Sequence, residues 1–309
     1  MKFIHKNIVP ASEILRDALQ RKIAIGAFNF SNMEIIQAIV ETANEEGTDV
    51  ICQASESAIK YMGVDYIISM MKAAAEGSRV RIALHLDHGK DFEICQRCID
   101  AGFSSVMIDK SGCNFEDNIK FTKEVVEYAH KNGVSVEAEL GTLSGVEDDV
   151  DVDEKDALFT NPDVAKEFID RTGIDYLAIA IGTSHGPNKG KFGSPKLDIE
   201  RLREIKNKVL DFPLVLHGAS SVYEDVVQYC NQNGADIKNA FGITDNDIRE
   251  SIKLGIAKIN VDTDIRLAFV GALRESLNNN KSLIDMRKYL GYAKEYSKEI
   301  IRRKIRLFK

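Results

Sequence analysis

Short apolar runs, each closed by polar residues or glycine, recur along the chain at positions 23–29, 50–55, 80–88, 105–109, 134–141, 176–182, 213–217 and 257–261. Most are continuous rather than alternating, as strands buried on both faces must be, and segments of helical period separate them. Eight such units in succession predict a (β/α)8 barrel. An open doubly wound sheet is the structural rival, because periodicity does not prove closure. Ser31 with Glu34 reads as a capping box opening NMEIIQAIVETANEEG, and Gly47 as the stop of that helix. Asn161-Pro162 places a cap residue and a first-turn proline ahead of DVAKEFIDRTG. From Thr263 onward the chain reads as two or three helices with no further strand. The expected organisation is a single domain over 1–309, with a C-terminal helical extension from about 263 to 309 that covers the barrel or forms a subunit contact.

Composition narrows this picture without changing it. A chain of 309 residues, 44% hydrophobic and 29% charged, buries a sizeable core and is not disordered. The net charge of −7 argues against broad nucleic-acid binding, which depends on phosphate neutralisation. A local set of amides and cations still suffices for a phosphorylated metabolite. No continuous apolar stretch reads as a membrane span or a signal sequence. Five scattered cysteines, Cys95 and Cys98 on one helix among them, fit free thiols in a reducing compartment, so a cytoplasmic location is expected.

Chemistry concentrates where runs end. Of six histidines, His88 in LHLDHG, His185 in IGTSHG and His217 in LVLHGAS each stand at a strand end beside a glycine. One such histidine is usually structural. Three in equivalent places suit a catalytic zinc with an open fourth position, the neighbouring glycines letting the backbone approach a metal-bound substrate. His85, inside its strand, is read as a supporting residue. Asp87, Asp109, Glu137 and Glu139 interrupt apolar strands, where an unpaired carboxylate is costly. Asp87, adjoining His88, is the acid/base candidate. Asp149, Asp151 and Asp153 fail the EF-hand pattern and read as an acidic loop, at whose start Glu147 stands within reach of the site. Loops after the last two runs, HGASS and NVDTD, supply small residues and a helix start suited to a phosphate.

Together, ALHLDHG, VMID, EAELG, GTSHG, LVLHGAS and INVDTDIR resemble the class II fructose-bisphosphate aldolases, in the family's motif order from about Ala24 to Arg287. The resemblance implies a barrel enzyme using Zn2+ to interconvert fructose 1,6-bisphosphate with dihydroxyacetone phosphate and glyceraldehyde 3-phosphate. It implies His88, His185 and His217 as zinc ligands, Asp87 as the proton donor to the aldehyde-derived oxygen, and Asp109 with Glu139 as a second metal position. It further implies Gly186, Gly218, Ala219, Ser220, Asn260, Val261, Asp262 and Thr263 as the ketone-phosphate site, with Ser55 and Arg287 at the second phosphate. Glu147 matches the acid of a mobile loop that removes the substrate proton. A monovalent cation at the phosphate and a homodimer or homotetramer are the remaining implications. Ser57, Val146, and Lys110 with Gly112-Cys113 depart from the family's usual residues and bear on fine substrate contacts. Rival readings are a tagatose-bisphosphate aldolase, a metal-dependent hydrolase, a Schiff-base aldolase using Lys110 or Lys258, and a non-catalytic phosphometabolite binder.

Overall fold

The computed structural model describes residues 3–142, 144–147, 150–152, 159–185, 196–238 and 240–309; for 144–147, 150–152 and 184–185 only the backbone is described. In chain order the strands are β1 (Ile25–Asn29), β2 (Val50–Ser55), β3 (Ile82–Gly89), β4 (Ser105–Ile108), β5 (Ser135–Leu140), β6 (Ser144–Glu147), β7 (Val150–Val152), β8 (Tyr176–Ile179), β9 (Ser184–His185), β10 (Leu214–Leu216) and β11 (Ile256–Val261). The helices are α1 (Ala11–Arg21), α2 (Met33–Glu46), α3 (Glu56–Met62), α4 (Val64–Glu76), α5 (Phe92–Ala101), α6 (Phe115–Lys131), α7 (Pro162–Thr172), α8 (Ile199–Val209), α9 (Glu224–Gln232), α10 (Asp245–Lys253), α11 (Thr263–Asn279) and α12 (Met286–Phe308).

Eight of these strands close a parallel barrel in the order β1-β2-β3-β4-β5-β8-β10-β11, sealed by β1 against β11 with Ile25 opposite Lys258. Every predicted run supplies one barrel strand, with ends moved by up to three residues. The open-sheet rival is thereby excluded. Strands β6, β7 and β9 form a separate small sheet among the described residues, with Gly145 opposite His185.

Strand alternation sorts the side chains into three levels. Val50, Cys52, Ile82, Leu84 and Val136 pack outward with the helices in the main core. Inward, the N-terminal end is apolar: Ile25, Ile51, Ala83, Val215 and Ala257 meet Ile14, Leu15 and Ala18 of α1, which stoppers the barrel. The stopper is read from the structure alone, since the sequence reading assigned α1 no role. Above that floor the buried interior turns polar, with Gln53, His85, Glu137 and Lys258 all at 0% exposure. The C-terminal rim then carries Asn29, Ser55, Asp87, Glu139, His217 and Asn260.

Two local expectations change. Helix α2 is capped by Asn32, whose side chain accepts from the Ile35 amide at 2.9 Å, and not by Ser31. Asparagine one position later offers the same short acceptor, so the helix starts a residue after the expected box. Gly47 closes the helix as expected, at φ +60°. The second change concerns Gly89 beside His88. A Cβ there would meet the Met107 carbonyl at 2.6 Å and Leu86 at 2.8 Å, so this glycine serves close packing against β4 rather than approach to a ligand.

The C-terminal extension is two helices that belong to the barrel wall. Helix α12 lies against α2 and α11, and the carbonyl of Phe308 accepts from the amide of Ala24 at 3.0 Å, next to β1.

Candidate active site and metal centre

Strand β3 delivers the two central residues by breaking its own regularity. Its pairing with β4 shifts between Leu86 and Gly89, and His88 within that bulge takes a left-handed φ of +50°. A non-glycine residue held there is strained, and such strain gathers at functional sites. The bulge sets the half-buried His88 beside the buried Asp87 at the rim.

His88 and His217 face each other edge to face, with His88 Nε2 3.0 Å from His217 Nδ1. Each distal nitrogen lies on a carboxylate: His88 Nδ1 is 2.7 Å from Asp109 Oδ2, and His217 Nε2 is 2.7 Å from Glu137 Oε1. A carboxylate only accepts, so each holds the ring proton on its own side. On that tautomer both inner nitrogens are acceptors, 3.0 Å apart, in the state in which imidazoles ligate a metal. Glu139 Oε2 approaches His217 Nδ1 to 3.6 Å. Two groups, Asp87 with His88 and His217, and His88 with Asp109 and Glu139, each gather ligand atoms within 4.8 Å of one another. Imidazoles with carboxylates are the donor set that zinc takes. The residues present therefore fit a divalent ion.

The surrounding charges are fixed from below. Glu137 Oε2 accepts from Lys258 Nζ at 2.7 Å, and His85 Nε2 stands 3.4 Å from the same oxygen. Burial alone would raise the Glu137 carboxyl, but the Lys258 charge and the His217 contact outweigh it and hold it well below the usual carboxylate range. Burial pushes the His217 imidazole down despite the neighbouring Glu137, so the neutral, ligating form is favoured. At Asp109 the hydrogen bond to His88, supported by Ser111, likewise outweighs burial and keeps the carboxyl ionised.

Asp87 is held differently. Oδ2 accepts from Asn29 at 2.8 Å and Gln53 at 3.2 Å, and Oδ1 accepts from Asn260 at 3.2 Å. Gln53 also donates to Asn29 Oδ1 at 2.7 Å, which orients both amides. Beside this cluster opens a cleft of about 400 Å³ whose lining includes Asn29, Ser31, Ser55, Ser57, Asp262 and Arg266. Ser55 caps α3, and Arg266 donates to Asp262 at 2.7 Å. On the other side of the rim, Gly218 (φ +58°), Ala219 and Ser220 form the turn after β10, and the Asp262 amide donates to Ser220 Oγ at 3.4 Å. Val261 ends β11, and Thr263 opens α11.

His88 thus joins Asp87 and His217 in one group and Asp109 and Glu139 in another, with Asn260 on Asp87 and with Ser55 and Asp262 lining the cleft beside them. Arg287 does not join them: it sits exposed at the start of α12, bound to Asp285 at 2.9 Å, and is not among the residues lining the cleft. Gly186 lies outside the described residues, as do the side chains of His185 and Glu147. The backbones of those two lie on the paired strands β9 and β6. Asn29, Gln53 and Arg266 are not marked as site residues by the sequence, Lys258 is marked there only as a possible Schiff-base lysine, and Glu137 carries no assigned role. Their signal was inward parity on the strands, and for Arg266 a position one turn into α11.

A family model described as class II fructose-bisphosphate aldolase matches residues 9–309. The chain belongs to that family. It is accordingly a lyase. Among relatives, a fructose-bisphosphate aldolase of Thermus caldophilus is 51% identical over 97% of this chain and 98% of its own. One of Helicobacter pylori is 48% identical over 97% of each. Among solved structures, the YdjI aldolase of Escherichia coli K12 superposes with a TM-score of 0.78 at 31% identity, covering 97% of both chains. No described helix is long and apolar enough to cross a membrane.

Proposed function

We propose that this aldolase cleaves and forms fructose 1,6-bisphosphate, with dihydroxyacetone phosphate and glyceraldehyde 3-phosphate as its triose partners, at the rim site just described. The observation that carries the reading is the pair of facing imidazole nitrogens of His88 and His217, 3.0 Å apart, each ring anchored from behind by a carboxylate. His88 and His217, with His185 of β9, would hold a zinc ion, and Asp109 with Glu139 would offer it a second position. When bound, the ion supplies Lewis acidity to a carbonyl oxygen and to the charge developing beside it.

The chain's own residues supply the rest. Asp87, immobilised by three amides, takes the proton from the C4 hydroxyl in cleavage and returns it in synthesis. The turn Gly218–Ser220 and the segment Asn260–Thr263 anchor one phosphate, together with Gly186 and with the help of a monovalent cation. Ser55 and Arg266, both lining the cleft, suit the other. Arg287, which does not line the cleft within one chain, remains a candidate for that same phosphate. Glu147, on the strand paired with β9, is the candidate for abstracting the carbon-bound proton.

A lysine mechanism at Lys258 is disfavoured by the state of that residue. Lys258 Nζ is fully buried in an ion pair with Glu137, whereas a Schiff-base lysine must present a neutral amine to substrate. The chain works as one barrel domain over 1–309, in the cytoplasm. The apolar side chains exposed on α11 and α12, among them Val270, Leu277 and Tyr292, suit a homodimer or homotetramer, to be measured by sedimentation.

The deciding assay is cleavage of fructose 1,6-bisphosphate before and after EDTA, with zinc added back and a parallel borohydride trap. Loss to chelator, restoration by zinc and indifference to borohydride are expected. Activity that survives EDTA and is trapped by borohydride overturns the assignment. Turnover of the tagatose epimer alongside reads the sugar preference.

A further inference from the structure

The turn that follows β10 is built from residues that do not hold their own shape. Val222 sits at φ +46°, a left-handed conformation that β-branched residues avoid. Its geometry is imposed from outside by three segments far away in sequence. Asp264, in the first turn of α11 and 1% exposed, accepts the amide of Ser221 on Oδ2 at 2.9 Å and the amide of Val222 on Oδ1 at 2.8 Å. Lys304, near the end of α12 and fully buried, meets Asp264 Oδ2 at 2.8 Å and donates to Ser221 Oγ at 2.7 Å. Its ammonium also lies 4.4 Å from the centre of the Tyr223 ring. From the other side, Gly242 presses so close that a Cβ there would lie 2.1 Å from the Ser221 carbonyl carbon, and the next amide, Ile243, donates to the Ser220 carbonyl at 3.3 Å.

A lysine is an expensive way to fill a helix–barrel interface, since an aliphatic side chain would pack there without desolvating a charge. What the ammonium does that a leucine cannot is neutralise Asp264 and fasten the Ser221 hydroxyl at once. Asp264 in turn occupies the amides of Ser221 and Val222, so these point inward to the carboxylate and fix how the preceding residues, Gly218 to Ser220, present theirs at the rim. We infer that Lys304, acting through Asp264 and Ser221, is a positioning residue for anion binding, by which the last helix of the chain sets the shape of the phosphate turn on the barrel rim. The inference rests on the reading of Gly218–Ser220 as that turn.

The test uses the zinc-loaded full chain carrying Lys304→Gln or Ser221→Ala. KM and kcat for fructose 1,6-bisphosphate are measured together with competition by inorganic phosphate and zinc content. A buttress raises KM and the phosphate inhibition constant about tenfold in Lys304→Gln and about threefold in Ser221→Ala, since small displacements of a positioning group are costly. The kcat stays within about twofold and zinc content is unchanged, because neither residue touches the reacting atoms. Should Lys304→Gln fail to fold, Ser221→Ala, which deletes one hydroxyl, decides. Unaltered phosphate inhibition in a folded variant, beside a raised constant in Gly218→Ala, overturns the buttress and leaves the turn as the anion site. Inhibition unaltered in Gly218→Ala as well overturns the reading of the turn itself.

Discussion

Asp87 and Lys258 show how much a single buried charge depends on its partners. Three amide donors converge on Asp87, so replacing it by asparagine retains size and most packing while removing the group that can take a proton. We expect Asp87→Asn to lower kcat about 10²–10⁴-fold, the range general acid–base groups supply, with zinc content by atomic absorption unchanged. Equal loss of zinc and turnover would mean that Asp87 chiefly shapes the metal site. Lys258 makes the opposite prediction, for stability. Its removal strands Glu137, fully buried and ionised, so Lys258→Met should cost about 3–5 kcal/mol in urea unfolding, and Glu137→Gln in the same chain should recover much of it. A cost under about 1 kcal/mol would show that His217 alone suffices for Glu137. None of this pairing was legible beforehand. Glu137 and Lys258 are 121 residues apart, and only closure of the barrel brings β5 and β11 to opposite sides of one interior. The strand-end residues Asp87, His88, Asp109 and His217 were legible, because a polar residue terminating an apolar run needs no knowledge of its neighbours.

At the scale of elements, what the sequence specified was where strands and helices lie, and what it blurred was up to three residues at an end. Runs buried on both faces announce barrel strands by continuity alone, so Val50–Ser55 was located to the residue. The start of α2 was not, because Ser31 and Asn32 are both good caps and only backbone direction decides which faces the open amides. Since Asn32 accepts from Ile35, Asn32→Ala should cost about 1 kcal/mol and Ser31→Ala a few tenths or less, read as shifts in thermal midpoint. A larger loss from Ser31→Ala would reinstate the capping box. The bulge in β3 was equally hidden: nothing in LHLDHG signals that its second histidine takes a positive φ. Yet the bulge sets how His88 is presented beside Asp87, so the most chemically telling irregularity of the barrel is the least readable.

For the whole molecule, the question is whether the C-terminal helices are an appendage or a wall. Sequence reading left both possibilities, a cover or a subunit contact. Helix α12 buries Ile300, Ile301, Ile305, Leu307 and Phe308, each at 6% exposure or less, against the barrel and its neighbours. At about 1.5–3 kcal/mol for each buried side chain, these five contribute on the order of 7–15 kcal/mol, which matches the entire net stability of a typical folded domain. The exposed ion pairs on the same helix, such as Arg303 with Asp225, add little by comparison. Truncation after Asp285 should therefore yield a chain without cooperative thermal unfolding, even with saturating zinc, instead of an active barrel of reduced affinity. A truncated chain that unfolds cooperatively and still cleaves substrate would show that the barrel is complete without its last helix. The magnitudes favour the first outcome, and they explain why a helix carrying no catalytic residue is positioned where Lys304 can reach the rim.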